Sequence, residues 1–98
     1  MDYSVRYTLK AREDLVRLAS YIALDNPDRA ISFVSELEDH TTKVLALVPM
    51  SGRIYKNTTR FTVYGRFVIL YKVNEKTKLV TVVHIVGGAT NWKKKNFN

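Results

Sequence analysis

The feature that most constrains this fold is a change in the spacing of apolar residues at the segment Pro49–Gly52. Before this segment, apolar side chains recur at intervals of three and four residues, which is the period of an amphipathic helix. After it, short runs rich in β-branched and aromatic residues are typical of strands. Proline and glycine at the boundary favour a turn between the two halves. The sequence therefore predicts an α+β fold, with helices first and most of the sheet second.

Two helices are predicted before the boundary. The first covers 10–25, and its apolar stripe consists of Ala11, Leu15, Leu18, Ala19 and Ile22. Within it, the spacing predicts an ion pair between Glu13 and Arg17. The second helix covers 27 to about 48, with Asn26 as its N-cap. Its apolar face consists of Ala30, Phe33, Val34, Leu37, Val44 and Leu45. The short link between the two predicts an antiparallel αα-hairpin.

Strands are predicted at the N-terminus and throughout the second half. The expected strands are 3–9, 53–56, 60–63, 66–73 and 79–86, with a hairpin loop at 74–78. The alternation in 66–73 sends two sets of apolar side chains to opposite faces. The hairpin of helices covers only one face of this sheet. The other face is therefore predicted to be packed by the chain's own termini or to be open for a partner to bind.

Positive charge is concentrated in the second half of the chain. Up to Pro49 there are six basic and eight acidic residues, whereas after it there are ten basic residues and one acid, Glu75. Such asymmetry indicates a polyanion or an acidic protein as partner, and it leaves open which of the two. Simple solvation of the sheet is the third interpretation. The residues predicted to contact a target or nucleic acid are Arg53, Lys56, Arg60, Arg66, Trp92, Lys93, Lys94 and Lys95.

Several classes of protein are disfavoured by the sequence. The chain has 98 residues and no cysteine, so we expect one domain, 1–98, with a flexible basic tail at about 91–98 and no disulfide framework. No apolar run approaches the roughly 20 residues of a membrane span, and the N-terminus does not resemble a signal peptide. The expected location is the cytoplasm. The two histidines, His40 and His84, do not form a zinc motif, and we expect no metal and no cofactor.

Several segments in order carry a resemblance to a known family. They are Ala11–Leu15 with Tyr21–Ala23, then Asn26–Ala30, Leu47–Arg53 and Tyr64–Tyr71. In this combination the chain resembles the RelE/ParE toxin superfamily, and it is closer to the ParE-like plasmid stabilisation toxins. The resemblance implies an N-terminal strand and an αα-hairpin packed on one face of a twisted sheet. That sheet is expected to be mainly antiparallel and to have three to five strands.

The resemblance also implies a biological role as the toxin of a type II toxin–antitoxin module. Such toxins inhibit growth and are neutralised by an antitoxin whose helix and extended segment wrap around them in a hetero-oligomeric complex. The sequence pI of about 9.8 suits an acidic antitoxin. We assign the antitoxin contacts to Val68, Leu70 and Lys72, on the sheet face that the helices leave uncovered. A homodimer of the free toxin is a second possible assembly through the same face.

The superfamily divides into two activities, and a third outcome is an inactive relative or a plain basic RNA-binding module. ParE-like members poison DNA gyrase by binding, whereas RelE-like members cut messenger RNA on the ribosome. A nuclease needs a base, an acid and cations at the developing phosphorane charge. The candidates for these roles are His84, Arg53, Arg66 and Tyr71, with Tyr71 and Trp92 as possible stacking platforms. The chain has Gly87 and Thr90 where relatives carry histidine and arginine, which favours the binding toxin because glycine transfers no proton.

Overall fold

The computed structural model describes residues 2–89 and 92–94, without the side chain of Lys94. The helices are α1 (Leu9–Ala23) and α2 (Pro27–Leu47), and 3₁₀ helices occupy Pro49–Ser51 and Trp92–Lys94. The strands are β1 (Ser4–Tyr7), β2 (Arg53–Lys56), β3 (Thr59–Tyr64), β4 (Phe67–Asn74) and β5 (Leu79–Gly87). Every predicted helix and strand is confirmed, and the observed ends differ from the predicted ones by up to two residues. Of the predicted tail at about 91–98, residues 91 and 95–98, including Lys95, lie outside the described residues, as does Thr90.

Side-chain caps fix where both helices begin. The Asn26 side chain accepts a hydrogen bond from the Arg29 amide at 3.1 Å, which confirms the predicted N-cap of α2. The Thr8 hydroxyl accepts one from the Ala11 amide at 3.0 Å and caps α1 in the same way. Because α1 ends at Ala23, the link between the two helices is three residues long. This short link holds the helices as the predicted antiparallel hairpin.

The sheet has five strands in the order β1-β5-β4-β3-β2. Strand β1 pairs with β5 in parallel, and the other neighbours are antiparallel. A parallel pair needs a crossover connection, which the αα-hairpin and the following strands supply. Strands β1 and β2 are therefore the two edges. This arrangement confirms the predicted fold, a helical hairpin on a mainly antiparallel sheet.

The main core lies between the helices and one face of the sheet. From the helices, Leu15, Phe33, Leu37 and Leu45 are buried against sheet residues Ile69, Tyr71, Val80, Val82 and Ile85. Leu18, Ile22 and Val34 pack around this cluster. The predicted helical stripes therefore face the sheet. We call this side the inner face and the opposite side the outer face.

A second, smaller cluster covers the middle of the outer face. Val68 and Leu70 are buried there together with Trp92, and Tyr55, Phe61, Val83 and Val86 surround them. The Trp92 ring lies 5.3 Å from the Tyr55 ring and 5.0 Å from the Phe61 ring, measured between centroids. The chain's own C-terminal segment thus covers this strip. Of the two alternatives predicted for this face, packing by the chain's own terminus is the one found over this strip. The assignment of Val68 and Leu70 to the antitoxin is corrected, because both are buried together with Trp92. Of the three assigned contacts, Lys72 alone is exposed.

No helix within the described residues is long and apolar enough to cross a membrane.

Candidate functional site

The outer face carries part of the predicted target-binding set. Arg53 and Lys56 are exposed on the edge strand β2, and Arg53 lies opposite Phe61 in the register. Lys93 is exposed too, with its ammonium 5.6 Å from the Phe61 ring and 5.5 Å from the Trp92 ring. None of the five strands contains an aspartate or a glutamate. The outer face is therefore positively charged, without carboxylates on its own strands to offset it.

Arg60 does not join this surface. Its register partners are Ile54 and Tyr71, which places it on the inner side of the sheet. The guanidinium donates hydrogen bonds to the carbonyl oxygens of Gly52 at 2.8 Å and Met50 at 3.3 Å. These bonds hold the 3₁₀ turn that joins α2 to the sheet. The prediction that Arg60 contacts a target is therefore corrected to a structural role.

Arg66 is exposed but lies at the far end of the sheet. It sits in the turn between β3 and β4, where Gly65 adopts a φ of 59°. Arg66 is seven residues along the chain from Thr59, the register partner of Lys56, so roughly 23 Å separates the two ends at about 3.3 Å per residue. Its carbonyl accepts a hydrogen bond from the Gly88 amide at 2.6 Å. Arg66 therefore cannot act on one small ligand together with Lys56.

Tyr71 is fully buried and joins the two halves of the chain. Its hydroxyl donates to the Pro49 carbonyl at 2.9 Å and accepts from the Gly52 amide at 2.9 Å. A Cβ atom on Gly52 would collide with the Tyr71 hydroxyl and with the Phe61 carbonyl oxygen, so only glycine fits there. Pro49 and Gly52 at the boundary thus supply the backbone groups that form hydrogen bonds with the Tyr71 hydroxyl. Both proposed roles for Tyr71, in catalysis and in stacking, are corrected, because no solvent-borne substrate reaches its ring.

We expect Tyr71→Phe to lower the free energy of unfolding by about 1–3 kcal/mol, because the buried Gly52 amide loses its acceptor. Burial also raises the pKa of the Tyr71 phenol above its ordinary value of 10.0. The stability that the protonated phenol contributes is therefore complete below about pH 10 and is lost as the pH rises through the raised pKa. Phenylalanine lacks this loss, so the difference in unfolding free energy between the two proteins should shrink as the pH rises above about 10. Urea unfolding of both proteins measures it, and a difference that stays constant would contradict this assignment.

His84 is buried in β5 and lies against a carboxylate. Its Nδ1 atom is 3.5 Å from Oδ2 of Asp14 on α1. Leu70 is its register partner on β4, next to a β-bulge. Arg53, the cation proposed to act with it, lies on the edge strand β2, three strands away from β5 in the sheet order. The four nuclease candidates are therefore not gathered in one site.

Asp14 organises this region, a role that the sequence patterns do not predict. Strand β1 pairs with β5 only as far as Val82, so the next stretch of β5 has a free edge. There the Asp14 carboxylate accepts a hydrogen bond from the Ile85 amide at 3.0 Å. It also forms an ion pair with Arg17 at 2.6 Å, which replaces the predicted pair between Glu13 and Arg17. Asp14 thus takes the place of a neighbouring strand and ties α1 to β5.

The side of the helical hairpin that faces away from the sheet forms an apolar groove. Leu15 and Ala30 are buried at the groove, whereas Val16 and Ile31 are 64% and 73% exposed. The helical groove, as we call it, is lined by Arg12, Leu15, Val16, Ala19, Ser20, Ala23, Pro27, Ala30, Ile31, Val34 and Glu38. Arg12 and Glu38 form an ion pair of 3.8 Å. Apolar side chains this exposed in a narrow channel are typical of a surface that receives a partner helix.

Within residues 2–89 and 92–94, no three histidine, aspartate or glutamate side chains come together as a metal site.

Known proteins resemble this chain along most of its length. The family model for the ParE toxin of the type II toxin–antitoxin system parDE matches residues 5–92. A protein of Sinorhizobium fredii, described as "Putative toxin Y4kP", is 31% identical over 83 residues, which cover 82% of this chain and 85% of that protein.

Two solved structures share the fold. The chromosomal ParDE toxin–antitoxin system of P. aeruginosa has a TM-score of 0.72 and 23% identity, covering 87% of this chain and 95% of that chain. The toxin–antitoxin complex RelBE2 of Mycobacterium tuberculosis has a TM-score of 0.69 and 20% identity, covering 89% of this chain and 99% of that chain.

Proposed function

This chain belongs to the ParE toxin family of type II toxin–antitoxin systems, and on that premise we propose that it inhibits growth by binding DNA gyrase. In this proposal the toxin contributes a binding surface, and no bond is made or broken by its side chains. Its site of action is the cytoplasm, where gyrase meets the chromosome. The plasmid or chromosomal module that encodes it would supply the antitoxin.

The observation that carries this proposal is the burial of the groups a nuclease would need. His84 lies against Asp14 inside the junction of α1 and β5, and the Tyr71 hydroxyl is engaged with Pro49 and Gly52. General acid–base catalysis requires a side chain within hydrogen-bond reach of the substrate proton. Neither group meets that requirement without a rearrangement of the core. A binding toxin needs no such group, so the geometry favours it.

A ribosome-dependent endoribonuclease is the second candidate, and the charge of the outer face favours it. Arg53, Lys56 and Lys93 present exposed cations on one surface, and cations stabilise charge on a phosphate in transfer reactions. A nuclease of this kind would have to move its proton through His84. The same cations equally suit the acidic surface of a protein target.

The antitoxin partner is proposed to occupy the helical groove in place of the strip at Val68 and Leu70. Solved relatives of this fold are toxin–antitoxin complexes, and the groove is an apolar surface that the described residues leave open. An amphipathic helix would place its apolar side chains between Val16 and Ile31. The net charge of +7 favours an acidic partner and fast association at low salt.

Replacement of His84 separates the two candidate activities. If the chain is a gyrase toxin, His84→Gln should leave growth inhibition nearly intact, because glutamine keeps a polar side chain beside Asp14. If it is a nuclease, the loss of a titrating imidazole should reduce RNA cleavage by about 10²–10⁴-fold. The readouts after controlled expression are induction of the DNA damage response and the rate of translation. His40→Gln, on the exposed side of α2, is the matched control.

Three outcomes of this experiment are informative. A DNA damage response that persists in His84→Gln supports the proposal. Translation arrest that His84→Gln abolishes, with an unchanged melting temperature, refutes it and establishes the nuclease. An intact fold with no growth inhibition at all would identify an inactive relative.

A further inference from the structure

The strand register places a row of polar side chains across the whole outer face. Lys56 of β2 lies opposite Thr59 of β3, and Thr59 lies opposite Lys72 of β4. Lys72 lies opposite Thr81 of β5, and Thr81 lies opposite Arg6 of β1. Residues directly opposite each other on neighbouring strands share a face. We call these five residues the cationic row.

The alternation along β1, β3 and β4 identifies the face that carries the row. On β2, a register shift between Ile54 and Lys56 interrupts the alternation and places Lys56 opposite Thr59. Lys72 follows Leu70 by two residues and Thr59 precedes Phe61 by two, and both apolar residues belong to the outer cluster. On β1, Val5 and Tyr7 pack against the inner core, so Arg6 between them points outward. The row therefore runs along the outer face beside the strip that Trp92 covers. Its three cations, Arg6, Lys56 and Lys72, are exposed within the part of the chain that the structure describes.

The three cations of the row are spaced evenly. Each is two strands from the next, so consecutive cations are about 9–10 Å apart at about 4.7–4.9 Å per strand. All three are exposed, and none takes part in an ion pair formed within the described residues. Threonines occupy the two positions between them; Thr81 is half-buried, whereas Thr59 is buried. Lysine, arginine and threonine are side chains that contact the phosphates of nucleic acids.

We propose that the cationic row binds the phosphodiester backbone of a nucleic acid. A linear, regularly charged polymer matches a row of cations separated by threonines, and the strands offer no carboxylate to repel it. The row contains no large apolar side chain, so it lacks the anchors on which protein partners depend. Lys93, stacked over Phe61 and Trp92, extends the positive surface on the same face. The apolar helical groove lies on the other side of the molecule and is free for a protein.

This inference is independent of the gyrase proposal, because it concerns binding of a polymer by the toxin alone and requires no cleavage. The polymer could be DNA near the target enzyme or RNA, since both present the same backbone. Contacts to phosphates do not distinguish one base from another, so we expect the row to show little sequence preference.

The test is binding of labelled oligonucleotides of about 15 nucleotides to the purified full chain, followed by fluorescence polarisation. Single-stranded DNA, single-stranded RNA and duplex DNA of one sequence are compared between about 50 and about 200 mM salt. The row variant combines Arg6→Gln, Lys56→Gln and Lys72→Gln. The control variant combines Arg12→Gln, Arg29→Gln and Lys43→Gln, which remove the same charge from the helices.

We expect the row variant to lose at least about tenfold in affinity for the preferred polymer. The slope of log affinity against log salt should fall by about two, since each phosphate contact on a single strand contributes about 0.7. The control variant should keep most of the slope. The polymer whose affinity falls most in the row variant is the ligand that the row binds.

Equal losses in the row and control variants would overturn the proposal, because bulk charge would then explain the binding. Binding to none of the three polymers at low salt would overturn it as well. If the triple variant does not fold, Lys72→Gln and Thr81→Val are measured singly. Each should weaken binding, and an unchanged affinity in both would again reject the row.

Discussion

Replacement of Asp14 by alanine is expected to lower the free energy of unfolding by about 1–3 kcal/mol, the cost of leaving a buried backbone amide without its acceptor. Asp14 is 1% exposed, and its carboxylate holds the Ile85 amide and the Arg17 guanidinium. Alanine would leave the Ile85 amide without an acceptor and His84 without its neighbouring carboxylate. Urea unfolding monitored by far-UV circular dichroism measures the loss. We expect the junction of α1 and β5 to become the least protected part of the sheet in hydrogen exchange.

Two further variants identify the cause of this loss. Asp14→Asn keeps a carbonyl oxygen for the Ile85 amide but removes the charge, so it should cost less than alanine. Glu13→Ala changes the neighbouring, exposed carboxylate and should alter stability by under about 0.5 kcal/mol. A loss below about 1 kcal/mol for Asp14→Ala would show that the carboxylate does not replace a strand at the edge of β5.

The second large effect is expected at the helical groove. Ile31→Glu should weaken binding of the cognate antitoxin by at least about 100-fold, or about 2.7 kcal/mol. The change places a charge where an apolar side chain is expected to be buried, and it opposes an acidic partner. Growth inhibition by the free toxin should persist, because the exposed cations predicted to contact the target, Arg53, Lys56 and Lys93, do not line the groove. Titration calorimetry and co-expression with the antitoxin measure the two effects.

Ser32→Glu is the matched control for this change. Ser32 is the next residue on α2, is exposed and lies outside the groove lining. It introduces the same charge on the same helix, so it should alter antitoxin affinity by only a few-fold. If both variants bind equally well, the antitoxin uses another surface. The strip beneath Trp92 would then be the next surface to test.

Much of the fold could be predicted because local patterns agree with the tertiary structure. Most of the apolar stripe residues of the two helices pack on the inner face, and the alternation in β4 separates its inner from its outer side chains. The Asn26 cap marks where α2 begins. Asp14 was overlooked although it stands inside an apolar stripe, between Ala11 and Leu15. A carboxylate in such a position is buried only when it has partners. That is the signal which could have identified it.

The functional surface could not be predicted to the same depth, because it depends on which strands pair and in what register. The composition indicated a basic second half but did not distinguish Arg60, which holds the junction at Gly52, from Lys56 on the outer face. Nor did the sequence decide between the tail and a partner as the cover over Val68 and Leu70. Arg6 and Lys72 lie 66 residues apart in the chain, and only the five-stranded order brings them into one row.

The central claim is tested most directly by purified gyrase and purified full-length toxin. The account predicts that the toxin inhibits supercoiling of relaxed plasmid in proportion to its concentration, and that the antitoxin reverses the inhibition. His84→Gln should inhibit as well as the natural chain does. The account is contradicted if gyrase keeps its full activity while the same toxin preparation cleaves messenger RNA on ribosomes.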